Sequence, residues 1–540
     1  MLLSDSKRVV FVRDATGLVR SLTWFDGLWM GLAYFSIPIA AFLIFGLGSF
    51  LFPGSDMVIL VCVIGLLFDL PVMLAYSMFG AAMPRSGGDY VYVSRTISPS
   101  LGFAASVTFF LYGLTFAGGQ NAYFTVTLGI APYLAAIGST NGNPALVALS
   151  QTLLQPVPLM VVGSLMLIAL FVFVMIPTAV LHKLMLWLFI IAFIGYPILY
   201  VAALAVSSHA QFVSAFNTYA SQAGINTSYD GIIAQAQAAG ATIAVPSFAA
   251  TIAALPLAYA TLGVPQSGVY IGGEIKRATR QIPIALLSCL FIIAISTAIM
   301  GYFTYGVFGY NFISATAYYG FSGASGYPLP GSPYPDYFLA ILYPNQIFNW
   351  FMLVSVVSWE LLVMALVGLV ATRLLFAWAF DRVVPTAMSD ISDKFGTPLK
   401  AGIVTTIACF VFLALTVYNF LTSYVSLIMA QTSLYLLAMI SAIVFPYLKK
   451  DMFNRSPPMV TRRVAGVPIM SILGLLGAIA LAINFYWLFA APAVSGVSPF
   501  SALVVVATYL ICIGAYYAVK QIRKKQGIDI GLAFNEIPPE

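Results

Sequence analysis

"MPRSGGDYVYVSRTISP", residues 83–99, sets two arginines, an aspartate and a Gly-Gly pair between two long hydrophobic runs that carry almost no charge. A polar island between apolar runs of this length reads as a loop at a bilayer surface, and the composition agrees. Of 540 residues 61% are hydrophobic and only 7% charged, against about 25% charged in a soluble domain. The chain is predicted to be an all-α integral membrane protein. A spanning helix needs about 20 mostly apolar residues, and twelve such runs can be marked. They lie near 24–49, 57–82, 100–133, 157–177, 181–206, 247–273, 283–309, 347–378, 399–418, 421–447, 467–490 and 499–519. Runs 4 and 5 are parted only by the tight joint "PTAVLHK". The charged N-terminal tail and the length of run 1 do not fit a signal peptide.

Lysine and arginine collect in cytoplasmic loops, and this map puts all 23 of them on one side. The quoted loop holds Arg85 and Arg95, and the rest lie in the two tails, the 4/5 joint and the segments after runs 6, 8 and 10. The outer loops hold only Asp56, Asp230 and Asp336. Both termini are expected in the cytoplasm, and the net charge of +6 is a topology signal that implies no nucleic-acid partner. The predicted organisation is a cytoplasmic tail (1–23), a first five-helix half (24–206), an outer loop (207–246) and a second half (247–447). A cytoplasmic loop (448–466), two added helices (467–519) and a cytoplasmic tail (520–540) follow.

Cys62, Cys289, Cys409 and Cys512 all fall inside apolar runs, which suggests packing thiols rather than a disulfide framework. Two histidines, His182 and His209, on opposite sides of the membrane, leave no metal site to expect. "NTS" at 226–228 fits a glycosylation acceptor.

Transporters commonly carry inverted repeats whose paired helices break near the bilayer midplane. Run 1 has Pro38 inside "DGLWMGLAYFSIPIAAFLIFG", and run 6, "TIAALPLAYATLGVPQSGVYIGGE", has Pro256, Pro265, Gly263 and Gly268. Proline removes a backbone donor and clashes with the preceding turn, so run 1 should break near Ser36–Ile39. The two broken runs are five apart, as two five-helix halves require.

Three stretches carry a family resemblance. "PRSGGDYVYVSRTISPSLGF" resembles P-R-[SA]-G-G-x-Y-x-Y of the amino acid/polyamine/organocation (APC) superfamily. "GGEIKRATRQIPIAL" resembles E-x-K-[NR]-x-x-R-x-I-P-x-A, carried by Glu274, Lys276, Arg280, Ile282 and Pro283. "TRLLFAWAFDRVVPTAMSDISDKFGTPLKA" resembles the motif that ends helix 8 in that family. The resemblance, over roughly 20–450, implies a 5+5 inverted-repeat (leucine-transporter-like) core with broken helices 1 and 6 and two extra helices. It also places the quoted loop at the inner mouth of the pathway, where Arg85, Gly87, Gly88, Tyr90 and Tyr92 would form part of an inner gate. There "DYVYVSR" suggests a short amphipathic helix pinned by arginines at headgroup level.

Several positions depart from the family pattern. The glycine-rich break of helix 1 is replaced by "AYFSIPI", leaving Ser36 and the amides of Ile37 and Ile39 as donors; Met78 stands for a glutamate; and Val264, Pro265 and Gln266 replace G-F-[ED]. Val363 and Val367 occupy positions that carry sodium-site hydroxyls in sodium-driven relatives, and run 5 lacks the mid-helix lysine of some proton-coupled ones. Two carboxylates do lie inside spans, Glu360 and Asp69. Each is a candidate for proton coupling, although Asp69 could instead bond backbone beside Pro71 and Glu360 could be a protonated packing contact. Asp26 is expected to cap helix 1.

Together these features describe a secondary active transporter in the cell membrane that imports amino acids or related small organic amines by alternating access, with the proton as coupling ion and no cofactor. The substrate is expected among Tyr34, Phe35, Ser36, Ile37, Pro38, Tyr112, Tyr259, Thr261, Gly263 and Gln266. An exchanger or sensor of the same fold and a polyamine or other organocation transporter are the alternatives. A membrane enzyme would need a catalytic constellation, and the sequence shows none.

Overall fold

The computed structural model describes residues 22–176, 178–262, 265–322, 327–329, 333–392, 397–418, 427–490 and 498–534. Among them ten helices are long and apolar enough to cross a membrane, from Met57–Ala82 to Pro499–Lys525. They correspond to runs 2–5 and 7–12. Run 3 outlasts its expected end and continues as Pro99–Thr140. Runs 1 and 6 are interrupted.

Run 1 opens as α1 (Trp24–Tyr34) under a capping box in which Thr23 accepts the Asp26 amide and Asp26 accepts the Thr23 amide. Thr23 is therefore the cap, and Asp26 is its third-position partner, a correction to the sequence reading. The same carboxylate lies 3.1 Å from His182. α1 stops where Phe35 turns extended (φ −86°, ψ 104°), and the chain resumes as α2 (Ile37–Ala41). Pro38 has no N–H to give the Tyr34 carbonyl four residues back, so the helical ladder opens at this point.

The loop after run 2 reverses at Gly87 (φ 98°) and Gly88 (φ 43°) and enters α3 (Asp89–Thr96). A Cβ on Gly87 would lie 2.7 Å from Ala377 Cβ, and one on Gly88 2.8 Å from Val269 Cγ2, so space as well as backbone conformation calls for glycine. α3 is buried along its whole length. Arg95 is 1% exposed, so it is held inside the protein and does not reach for headgroups as the sequence suggested.

In run 6, α4 (Leu255–Leu262) ends before residues 263–264, which are outside the described set, and the chain continues as 3-10 turns at Pro265–Tyr270 and Gly272–Glu274. Proline and three glycines in ten residues disfavour an α-helix here.

Segment 207–246, expected as an outer loop, contains two helices, His209–Gln222 and Tyr229–Ala238. Phe212 and Phe216 stand one turn apart on the first and pack against Tyr229 and Phe312, which stack at 4.7 Å. A further helix, α5 (Pro335–Leu342), precedes α6 (Gln346–Phe380), which is buried along most of its length.

Candidate substrate cavity and inner gate

Two consecutive residues of α6 serve the break in run 1. Trp359 Nε1 donates to the Phe35 carbonyl at 2.9 Å, satisfying one group that the interrupted helix leaves over. Glu360 Oε1 accepts the Ser36 hydroxyl, while Oε2 has no hydrogen-bond partner among the described residues. The Glu360 side chain is 1% exposed. It lines a narrow cavity whose other walls include Pro38, Phe124, Tyr334, Asp336 and Val356. This cavity joins the break to α5. Asp336, in the first turn of α5, is a second carboxylate on the same wall, and burial lifts its carboxyl to about 8.

The sequence candidates distribute unevenly around this cavity. Tyr34, Phe35, Ser36, Ile37 and Pro38 all sit at the break. Tyr259 donates its hydroxyl to the Phe68 carbonyl at 3.2 Å, beside Asp69. Asp69 is 1% exposed, and neither carboxylate oxygen has a partner among the described residues. Bonding to backbone beside Pro71, the alternative that the sequence allowed, is therefore not what the side chain does. Tyr112 is turned away from this group, its hydroxyl 3.0 Å from Thr508 in the last membrane helix. Gly263 and the side chains of Thr261 and Gln266 lie outside the described residues.

Away from this cavity the three sequence motifs fold onto one another. Arg95, at the end of α3, meets Asp381 at 2.6 Å, and Tyr90 donates to the same carboxylate at 2.8 Å. Glu274 meets Arg373 at 2.7 Å. Ser86 bridges to Ile271, and Leu22 exchanges backbone bonds with Glu274 and Lys276 at 3.0 and 2.8 Å. Tyr270 donates its hydroxyl to Asp89 and stacks on Phe109, while Tyr92 stacks on Phe79 at 4.7 Å. Burial raises the Asp89 carboxyl to about 6 against the opposing pull of the hydrogen bond from Tyr270. Of the predicted gate residues, Gly88, Tyr90 and Tyr92 are buried in this plug, Gly87 donates its amide to the Tyr270 carbonyl at 3.4 Å, and Arg85 lies part-buried beside it. Asp381, Asp89 and Asp336 were not singled out from sequence. The D of the helix 8 motif, which is Asp381, was the one available signal, but its partner lies 286 positions away.

The amino acid permease family profile matches residues 34–529, so the chain belongs to that family. No curated protein matches it by sequence. Among solved structures, one titled "Crystal structure of MhsT in complex with L-phenylalanine" superposes with a TM-score of 0.51 at 15% identity, covering 87% of this chain and 99% of that one. The shared fold is leucine-transporter-like. The protein is thus a multi-pass membrane transporter of the amino acid permease family.

Proposed function

We propose that this permease carries amino acids or related small organic amines across the cell membrane by alternating access, using twelve spans with both termini in the cytoplasm and the proton as coupling ion. The observation that carries the reading is the cavity at the run 1 break, lined by Glu360 and by Asp336 of α5, together with the buried packing of α3 against the end of α6. This arrangement corresponds to a substrate site loaded from outside. The amides of Ile37 and Ile39 and the Ser36 hydroxyl suit a substrate carboxylate, because half-helix N-termini favour anions. The carbonyls at the end of α1 and α4 suit an ammonium group.

Glu360 is the first choice for the coupling group. A charged carboxylate at the bilayer centre costs about 2.5–3.5 kcal/mol on insertion scales; Glu360 lines the cavity, and its Oε2 has no hydrogen-bond partner among the described residues. Asp69, in the second helix and near Tyr259, is the second candidate. Uptake of a mixture of radiolabelled amino acids into proteoliposomes tests the reading. An inward proton gradient should accelerate it, and replacing sodium by potassium should leave it unchanged. Sodium-stimulated uptake would reverse the coupling assignment, and binding without net uptake would select a sensor.

A further inference from the structure

The outer cavity contains one acidic group that the coupling scheme does not yet use. Asp336 is 9% exposed, lines the same cavity as Glu360, and makes no hydrogen bond or ion pair to a described residue. Of the ten residues around the cavity, only Tyr334, Asp336 and Glu360 have polar side chains; the remainder are apolar or glycine. Glu360 keeps one carboxylate oxygen buried and unpaired there. Among the described residues that line the cavity, Asp336 and Glu360 are therefore the two that can carry charge at neutral pH.

We propose that Asp336 is the outer proton-loading group of this transporter: a proton from the external solution rests on its carboxylate and passes, through water in the cavity, to Oε2 of Glu360. The transfer balances. Asp336 returns to carboxylate as Glu360 becomes the acid, and the next external proton reloads Asp336. The cavity is narrow, with space on the order of one water, so a single bridging molecule links the two carboxyl groups. The titratable groups packed around Asp336 leave its charge uncompensated. The helix Pro99–Thr140 brings Tyr133, whose hydroxyl lies 3.3 Å from Tyr196. The helix His209–Gln222 brings Tyr219, bonded to Tyr337 of α5 at 2.6 Å, and His209, held on the Val307 carbonyl at 3.0 Å. The turn Phe42–Leu47 brings none. No lysine or arginine is among them. Burial raises the Asp336 carboxyl to about 8, so it is protonated at neutral external pH and empties as external pH rises through that value.

This inference rests on the proton-coupled reading, and the test separates the two. The full-length protein in proteoliposomes is compared as wild type, Asp336→Asn and Asp336→Glu, in gradient-driven uptake and in substrate counterflow, which needs no net proton movement. Asp336→Asn should slow gradient-driven uptake at least tenfold and abolish its decline near external pH 8, with counterflow changed less than about threefold. Asp336→Glu should restore the gradient response. A wild type indifferent to the gradient would remove the coupling reading and this inference with it. A coupled wild type matched by an equally coupled Asp336→Asn protein would remove the inference alone. Loss of counterflow together with uptake at every pH would make Asp336 a substrate ligand and overturn the relay.

Discussion

Arg95 and Asp381 lie 286 positions apart in sequence and 2.6 Å apart in space, with 0% and 2% of their side chains exposed. This pair ties the loop helix after run 2 to the end of α6, and Tyr90 adds a third group to the same carboxylate. Removing one partner of a buried pair leaves the other charge uncompensated, at a cost of roughly 3–5 kcal/mol. The packing of α3 against the end of α6 therefore depends on it more than on any solvent-exposed ion pair such as Lys400–Asp390.

Asp381→Asn should shift the protein toward an inward-open state. A cysteine placed at Ser36 should then react at least tenfold faster with an impermeant thiol reagent applied from the cytoplasmic face. The exchanged pair, Arg95→Asp with Asp381→Arg, should recover part of the protection. Equal labelling of the wild type and Asp381→Asn would remove the gating role.

Glu360→Gln should eliminate the gradient dependence of uptake while retaining counterflow, because glutamine can still accept the Ser36 hydroxyl but cannot carry a proton. A Glu360→Gln protein that remains fully gradient-driven would transfer the coupling role to Asp69.

The pH response of stability follows from Asp89. Its folded value, about 6, lies above the unfolded value of ~3.9, so the folded state holds more protons between them. The stability associated with this group is fully present below ~pH 4 and is lost as pH rises to about 6, by about 3 kcal/mol at two pKa units and 1.36 kcal/mol each. The melting temperature in detergent should fall over that window, and Asp89→Asn should flatten the fall. An unchanged profile in the variant would disprove the assignment.

Gly87→Leu tests the close approach of the first motif to the third. With φ at 98° and Ala377 Cβ 2.7 Å from the added carbon, the substitution should cost about 1–3 kcal/mol and loosen the inner plug. Its thermal stability should drop by several degrees, and a melting point equal to wild type would contradict the packing described.

Topology can be checked by labelling. A cysteine at Ser228, the exposed cap of Tyr229–Ala238, should react from outside intact cells, and one at Ser456 should not. The reverse pattern would invert the map.

Ten apolar spans, the interruption of run 1 at Pro38 and the family's three motifs were all legible from residue order. In lipid each backbone group must be satisfied within its own segment, so length, hydropathy and proline act locally. The outer helices were less legible, because His209–Gln222 and Tyr229–Ala238 are short and polar, and their caps and paired aromatics acquire meaning only when Phe312 is brought beside them. Which face each membrane helix turns inward was decided by the tertiary structure alone. Spans such as Pro156–Met175 are apolar all round, so no polar stripe marks the side that packs. Hence Tyr112, a substrate candidate by position, points to Thr508, while Glu360 meets Ser36 324 positions away and Arg95 meets Asp381. Pairings at that separation depend on the rotation and register of whole helices against their neighbours, which packing determines and no local pattern encodes.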